Sequence, residues 1–237
     1  MKYKPLIILI NIFFFCSFVK GQEVSTYDNL KVTNDMKSHK ASLQKLDRNK
    51  VFSFIHNKLI SNTSQLQKAY FNVNRDYELL FYTKGDIFLN KVNDFVFIVY
   101  DKKNVRISII LYNELKKKYY DLYRDIKVEN GLKSADCNYC NFGTLDYQIA
   151  DNLICQENYL IKKPESILEN MFCKITKIST DKDFILKKGC FAKYESKTKL
   201  INSLCISTSS AYNNWECMKY DEAKNVFIIY YGQAFAD

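Results

Sequence analysis

The residues of this 237-residue chain with the clearest chemical potential are eight cysteines, two histidines and a scatter of carboxylates. Seven cysteines fall in the second half: Cys137, Cys140, Cys155, Cys173, Cys190, Cys205 and Cys217. The eighth, Cys16, lies in an N-terminal apolar run. In an oxidising compartment such thiols pair as disulfides. Seven is odd, so pairing leaves at least one thiol over, and sequence does not choose the partners.

Cys137-Asn138-Tyr139-Cys140 has the CxxC spacing of a thiol–disulfide redox pair, whose first thiol is activated at a helix N-terminus. The residues before it, Lys127–Asp136, are polar and glycine-containing, not the buried strand such a site needs. Membership of a disulfide framework is the simpler account. A zinc site is poorly served, because the remaining separations of 15, 18, 17, 15 and 12 residues contain no second CxxC. Neither histidine lies near Cys137 in sequence.

Acid–base chemistry near neutral pH most often uses histidine. His39 sits in a polar N-terminal stretch and His56 on an expected helix, so neither suggests a hydrolytic triad. GxSxG, HExxH and Walker loops do not occur. A glycosidase-like carboxylate pair needs no local motif. Glu114, Asp121, Asp125, Glu216, Asp221 and Glu222 are available for one, without any pair standing out. Trp215, the sole tryptophan, could stack on a sugar ring at a loop tip, although core packing is the commoner fate of such a residue. The residues imply no bound cofactor and no metal.

The compartment follows from the N-terminus. Lys2 and Lys4 precede an apolar run from Leu6 to Val19, and Val19-Lys20-Gly21 offers small or modest side chains at the positions a signal peptidase reads. These three regions predict a signal peptide cut between Gly21 and Gln22. As a helix the run would extend about 21 Å, short of the ~30 Å hydrocarbon core. Lipoprotein processing at Cys16 is disfavoured by Phe13, Phe14 and Phe15, which fill positions that want small side chains. No later apolar run approaches a membrane span, so no integral membrane segment is expected after cleavage.

Composition then bounds the class. The chain is 47% hydrophobic and 26% charged, ordinary for a globular protein. Only six glycines are present, which argues against phosphate-cradling loops. The net charge of +9 includes Lys2, Lys4 and Lys20, so the processed chain would carry +6. Lys116-Lys117-Lys118 is the densest basic cluster, followed by Lys162-Lys163 and Lys187-Lys188. That surplus suits an anionic surface, a glycan or a protein partner, and equally a merely solvated lysine face. Export argues against nucleic acid.

Periodicity supplies the elements. Residues 22–40 read as a flexible lead-in, and 41–237 as a globular region that could subdivide near 130–136 into a Cys-free and a Cys-rich half. Leu43, Leu46, Phe54, Ile55 and Leu59 predict a helix from Ser42 to Ile60. Asn62-Thr63-Ser64 ends it and forms a glycosylation sequon. Strands are predicted at Tyr77–Thr83, Ile87–Val92, Phe95–Tyr100 and Val105–Tyr112, the last two as a hairpin. Leu115, Tyr119, Leu122 and Tyr123 predict a second helix over Asn113–Asp125. Further on, Pro164 starts a helix to about Phe172. Phe184–Tyr194, Leu200–Thr208 and Val226–Tyr231 read as strands, with a polar loop over Ser207–Asn214. The expected fold is α+β, an antiparallel sheet with helices on one face followed by a cysteine-rich, strand-containing C-terminal half.

No motif assigns an activity. The reading these features favour is an exported soluble protein, secreted or periplasmic, that binds or interacts and is not an enzyme. A secreted hydrolase using carboxylates and a CxxC oxidoreductase are the alternatives.

Overall fold

The computed structural model describes residues 34–131, 144–176, 202–209 and 214–233. In chain order, helices α1 (Asn34–Arg48), α2 (Val51–Ile60) and α3 (Gln65–Val73) precede strands β1 (Tyr77–Gly85), β2 (Asp94–Asp101), β3 (Arg106–Asn113), β4 (Lys118–Asp121) and β5 (Lys127–Asn130). Helices α4 (Leu145–Cys155) and α5 (Glu157–Lys162) follow, then a 3-10 helix over Pro164–Glu169. The C-terminal part contributes β6 (Cys173–Thr176), β7 (Ser203–Ser209), β8 (Asn214–Asp221) and β9 (Val226–Gln233). The expected signal peptide with its Gly21/Gln22 cut, Cys137, Cys140 and Cys190, and the strand expected at 184–194 all lie outside the described residues.

The architecture is α+β, built on two sheets. One is antiparallel in the order β1-β2-β3-β4. The other runs β5-β9-β8-β7-β6, with β5 parallel to β9 and the remaining pairs antiparallel. The expected hairpin is present as β2 and β3, with Phe95 opposite Tyr112 and Ile98 opposite Ile109. Its strands are apolar at consecutive positions because both faces are covered. Val96, Ile98, Tyr100, Ile107, Ile109 and Leu111 join the main core with Phe52 and Ile55 of α2 and Ile149 and Leu153 of α4. Phe97, Val99, Ile110 and Tyr112 on the opposite face pack with Phe71 of α3. The main core continues into the second sheet through Leu204, Ile206, Met218 and Phe227, residues on either side of the 130–136 stretch.

The first expected helix departs from the periodicity at both its start and its middle. The helix expected over 42–60 starts earlier, at Asn34, and is broken at Lys50, which takes the left-handed φ of 59°. The break lets Leu43 and Leu46 of α1 and Val51, Phe52 and Ile55 of α2 reach one core from differently directed helices.

Asn113–Asp125 is not a helix. It is the end of β3, a turn and β4. Side chains cap the local backbone in ways that compete with helical bonding. Asn113 Oδ1 accepts the Lys116 N–H at 2.9 Å, Asp94 Oδ1 accepts the Glu114 N–H at 3.0 Å, and Asp125 Oδ2 accepts the Asp121 N–H at 2.7 Å. Ile87–Val92 is likewise a loop instead of a strand. Asp86 accepts the N–H groups of Asn90 and Lys91, while Asp94 accepts those of Ile87 and Phe88. The segment opened by Pro164 is a 3-10 helix ending at Glu169. Both ends of the loop expected at 207–214 are strand, since β7 extends through Ser209 and β8 begins at Asn214; residues 210–213 lie outside the described residues.

Candidate functional site

Strand β4 explains how the lysine cluster is used. In extended backbone alternate side chains point to opposite sides. Lys118 and Tyr120 of β4 accordingly share a side and line one groove, joined there by Lys116 from the turn before the strand. Lys117 turns away to pair with Glu114, and Tyr119 stacks on Tyr70 with ring centroids 3.7 Å apart. The opposite wall comes from the second sheet, where Tyr220 ends β8 and Glu222 and Asn225 belong to the turn before β9. Arg124 and Asp125, from the turn between β4 and β5, complete the lining of a cavity of about 660 Å³.

An aromatic contact holds the two walls in place. Phe88, buried beneath the groove, lies 5.9 Å from the Tyr120 ring and 5.0 Å from the Tyr220 ring. Tyr220 donates its hydroxyl to Asn225 Oδ1 at 2.8 Å, fixing the amide. The Lys118 ammonium stands 4.9 Å from the centre of the Tyr120 ring. Such a contact orients a cation without neutralising it. Among the described residues, neither Lys116 nor Lys118 forms an ion pair.

Beneath one end of the groove lies a buried charge network. Arg106 donates from Nε to Asp101 Oδ2 at 3.1 Å and from Nη2 to Asp121 Oδ2 at 3.0 Å. Arg124 Nη1 also donates to Asp121 Oδ2, at 2.9 Å. Burial pushes the Asp121 carboxyl up to about 7; Asp146, Asp125 and Asp101 add to that, while Arg106 opposes it. Asp146, fully enclosed at the start of α4, is raised by burial to about 6 although it accepts from the Thr144 hydroxyl and the Tyr147 N–H.

The six carboxylates considered from sequence therefore have separate fates. Glu114 pairs with Lys117, Asp121 holds the two arginines, and Asp221 accepts the Lys224 N–H at 3.2 Å. Glu216 is buried within β8. Only Asp125 and Glu222 line the groove.

The histidines serve the scaffold. His56 Nδ1 accepts the Leu79 N–H at 2.9 Å, beside the irregularity where β1 shifts register between Leu79 and Phe81. Burial lowers its pKa, as expected for a ring held neutral. His39 stacks on Tyr147 at 4.2 Å and bonds Asp151 Oδ1 at 3.0 Å, tying α1 to α4. Trp215 is no loop-tip platform. It is the second residue of β8, buried, with the Lys174 ammonium 4.5 Å from its ring.

Among the cysteines, Cys205 and Cys217 face one another across β7 and β8 and form a disulfide, their Cα atoms 4.0 Å apart. Cys155 is an exposed free thiol and Cys173 a buried one. Burial raises the pKa of both. Among the described residues, no group of three or more His, Cys, Asp or Glu side chains could hold a metal. No helix among them is long and apolar enough to cross a membrane.

Tyr120, Arg124, Tyr220 and Asn225 were not foreseeable as site residues from a helical reading of 113–125. The usable signal was the alternation Lys118-x-Tyr120 within β4. Comparison with protein-family models, curated proteins and solved structures finds no match to this chain.

Proposed function

We propose that the chain is an exported binding protein and that the groove between β4 and the β8–β9 turn is its ligand surface. One observation carries this reading: Lys116 and Lys118 sit together on a wall braced by Tyr120 and Phe88, their charges uncommitted to any ion pair among the described residues. Unpaired cations on a preformed concave surface are available to a ligand without prior rearrangement. Export is supported by the signal-like leader and by the Cys205–Cys217 disulfide, a bond that persists in oxidising compartments.

The test is a thermal-shift panel of glycans, acidic peptides and anionic lipid vesicles, run on the secreted chain and on K116E/K118E. At least one class should raise the Tm of the wild type and leave the variant's unchanged. No shift from any class, or equal shifts in both proteins, would refute the proposal.

The presence of Asp125 and Glu222 in the same groove favours a carboxylate hydrolase as the second reading. E222Q separates the two. Under the hydrolase reading it abolishes turnover of a bound glycan, whereas a binding protein has no turnover to lose.

A further inference from the structure

Resting on that binding role, we infer that the groove takes an acidic polysaccharide of the uronic-acid type, one carrying a carboxylate and several free hydroxyls on each sugar. The lining is of mixed charge, and the mixture is informative. Lys116, in the turn before β4, and Lys118, the first residue of that strand, both line the groove and present two cations, not a single point charge. Tyr120 positions Lys118 through its ring face. Arg124 is committed to Asp121, leaving the lysines to meet anionic groups.

Across the groove, Glu222 is exposed, and Asn225, whose Oδ1 accepts from the Tyr220 hydroxyl, keeps its amide NH2 as a further donor. A carboxylate and an amide suit hydroxyl groups, which both donate and accept. The same carboxylate repels a dense polyanion. A ligand with charge but no hydroxyls leaves Glu222 facing like charge, and one with hydroxyls but no charge leaves both lysines unanswered. A polyhydroxylated chain of widely spaced carboxylates satisfies both walls.

The experiment is titration calorimetry of the secreted chain with oligogalacturonate, with a neutral dextran oligomer of matched length and with polyphosphate. Oligogalacturonate should bind most tightly, and added salt should weaken it. K116E/K118E should lower that affinity by roughly tenfold or more, with K116Q/K118Q giving a smaller loss in the same direction. Glu222→Gln should raise affinity for polyphosphate. Equal or tighter binding of polyphosphate, equal binding of dextran, or no binding of oligogalacturonate would each overturn the assignment. If another class in the thermal-shift panel binds in a lysine-dependent way, the acidic-polysaccharide inference fails while the binding role stands.

Discussion

Arg106 and Asp121 join β3 to the end of β4, with the guanidinium Nη2 3.0 Å from Oδ2 and Arg106 only 3% exposed. The same guanidinium holds Asp101 through Nε, so one buried cation anchors two carboxylates. Removing one member of such a network strands the others in low dielectric, a loss of about 3–5 kcal/mol. We expect Arg106→Met to be destabilised on this scale in urea unfolding. A loss under about 1 kcal/mol would show that the network contributes little.

The Asp121 carboxyl titrates at about 7 in the folded chain against an ordinary 3.8, so the folded state binds the proton more tightly. The stability this gives is complete below about pH 4 and is lost as pH rises toward 7. Asp146 acts in the same direction, up to about pH 6. Asp121→Asn should therefore show a smaller fall in urea midpoint between pH 4 and 7 than the wild type. Parallel curves would mean that Asp121 is ionised throughout.

His56 has the opposite sign. Its pKa is held below the ordinary 6.5, so its contribution is present above that value and is lost as pH falls through the depressed folded value. His56→Ala leaves the Leu79 N–H without its acceptor, at a cost of about 1–3 kcal/mol. The variant should also lose part of the wild type's acid-side destabilisation below pH 6.5. An unchanged acid limb would assign that destabilisation to other groups.

The Cys205–Cys217 bond closes a short loop between neighbouring strands, with a sequence separation of 12. Replacing both residues by serine should cost about 3 kcal/mol. Alkylation of the native chain followed by peptide mapping should modify Cys155, which is exposed, and reach Cys173 only after denaturation. Labelling of Cys173 in the native state would contradict its burial.

Gly131 directly follows β5, and its N–H donates to the Ile229 carbonyl at 2.7 Å. A Cβ added there would lie 2.6 Å from that carbonyl oxygen and 2.6 Å from Ile228 Cγ2. Gly131→Ala should be destabilised by about 1–3 kcal/mol, seen as a lower urea midpoint. A neutral effect would require β5 to shift away from β9.

Local pattern made part of this fold legible. Phe95–Tyr100 is apolar at every position, and Val105–Tyr112 nearly so, with four polar residues between them; hydrophobic burial and a short turn leave a hairpin as the natural outcome. The helical stripe Leu115, Tyr119, Leu122, Tyr123 was real as a spacing yet misleading as structure. Asn113, Asp94 and Asp125 satisfy that backbone from the side, and Asp94 does so from 20 residues away. No window around residue 115 contains Asp94's contribution.

The amino-acid sequence by itself determined the apolar hairpin, the position of the cysteines and the signal-like leader, because each depends on residues adjacent in the chain. Tertiary structure decided the lysines' role. Lys116 and Lys118 line one groove because the chain turns after β3 and then extends into β4 instead of continuing as a helix, and their facing wall is Tyr220, Glu222 and Asn225, about a hundred residues later. Phe88, from a third segment, packs against Tyr120 and Tyr220 and so sets the groove's width. A site assembled from three distant segments has no local signature, since its geometry comes into being only when the two sheets pack on a common core.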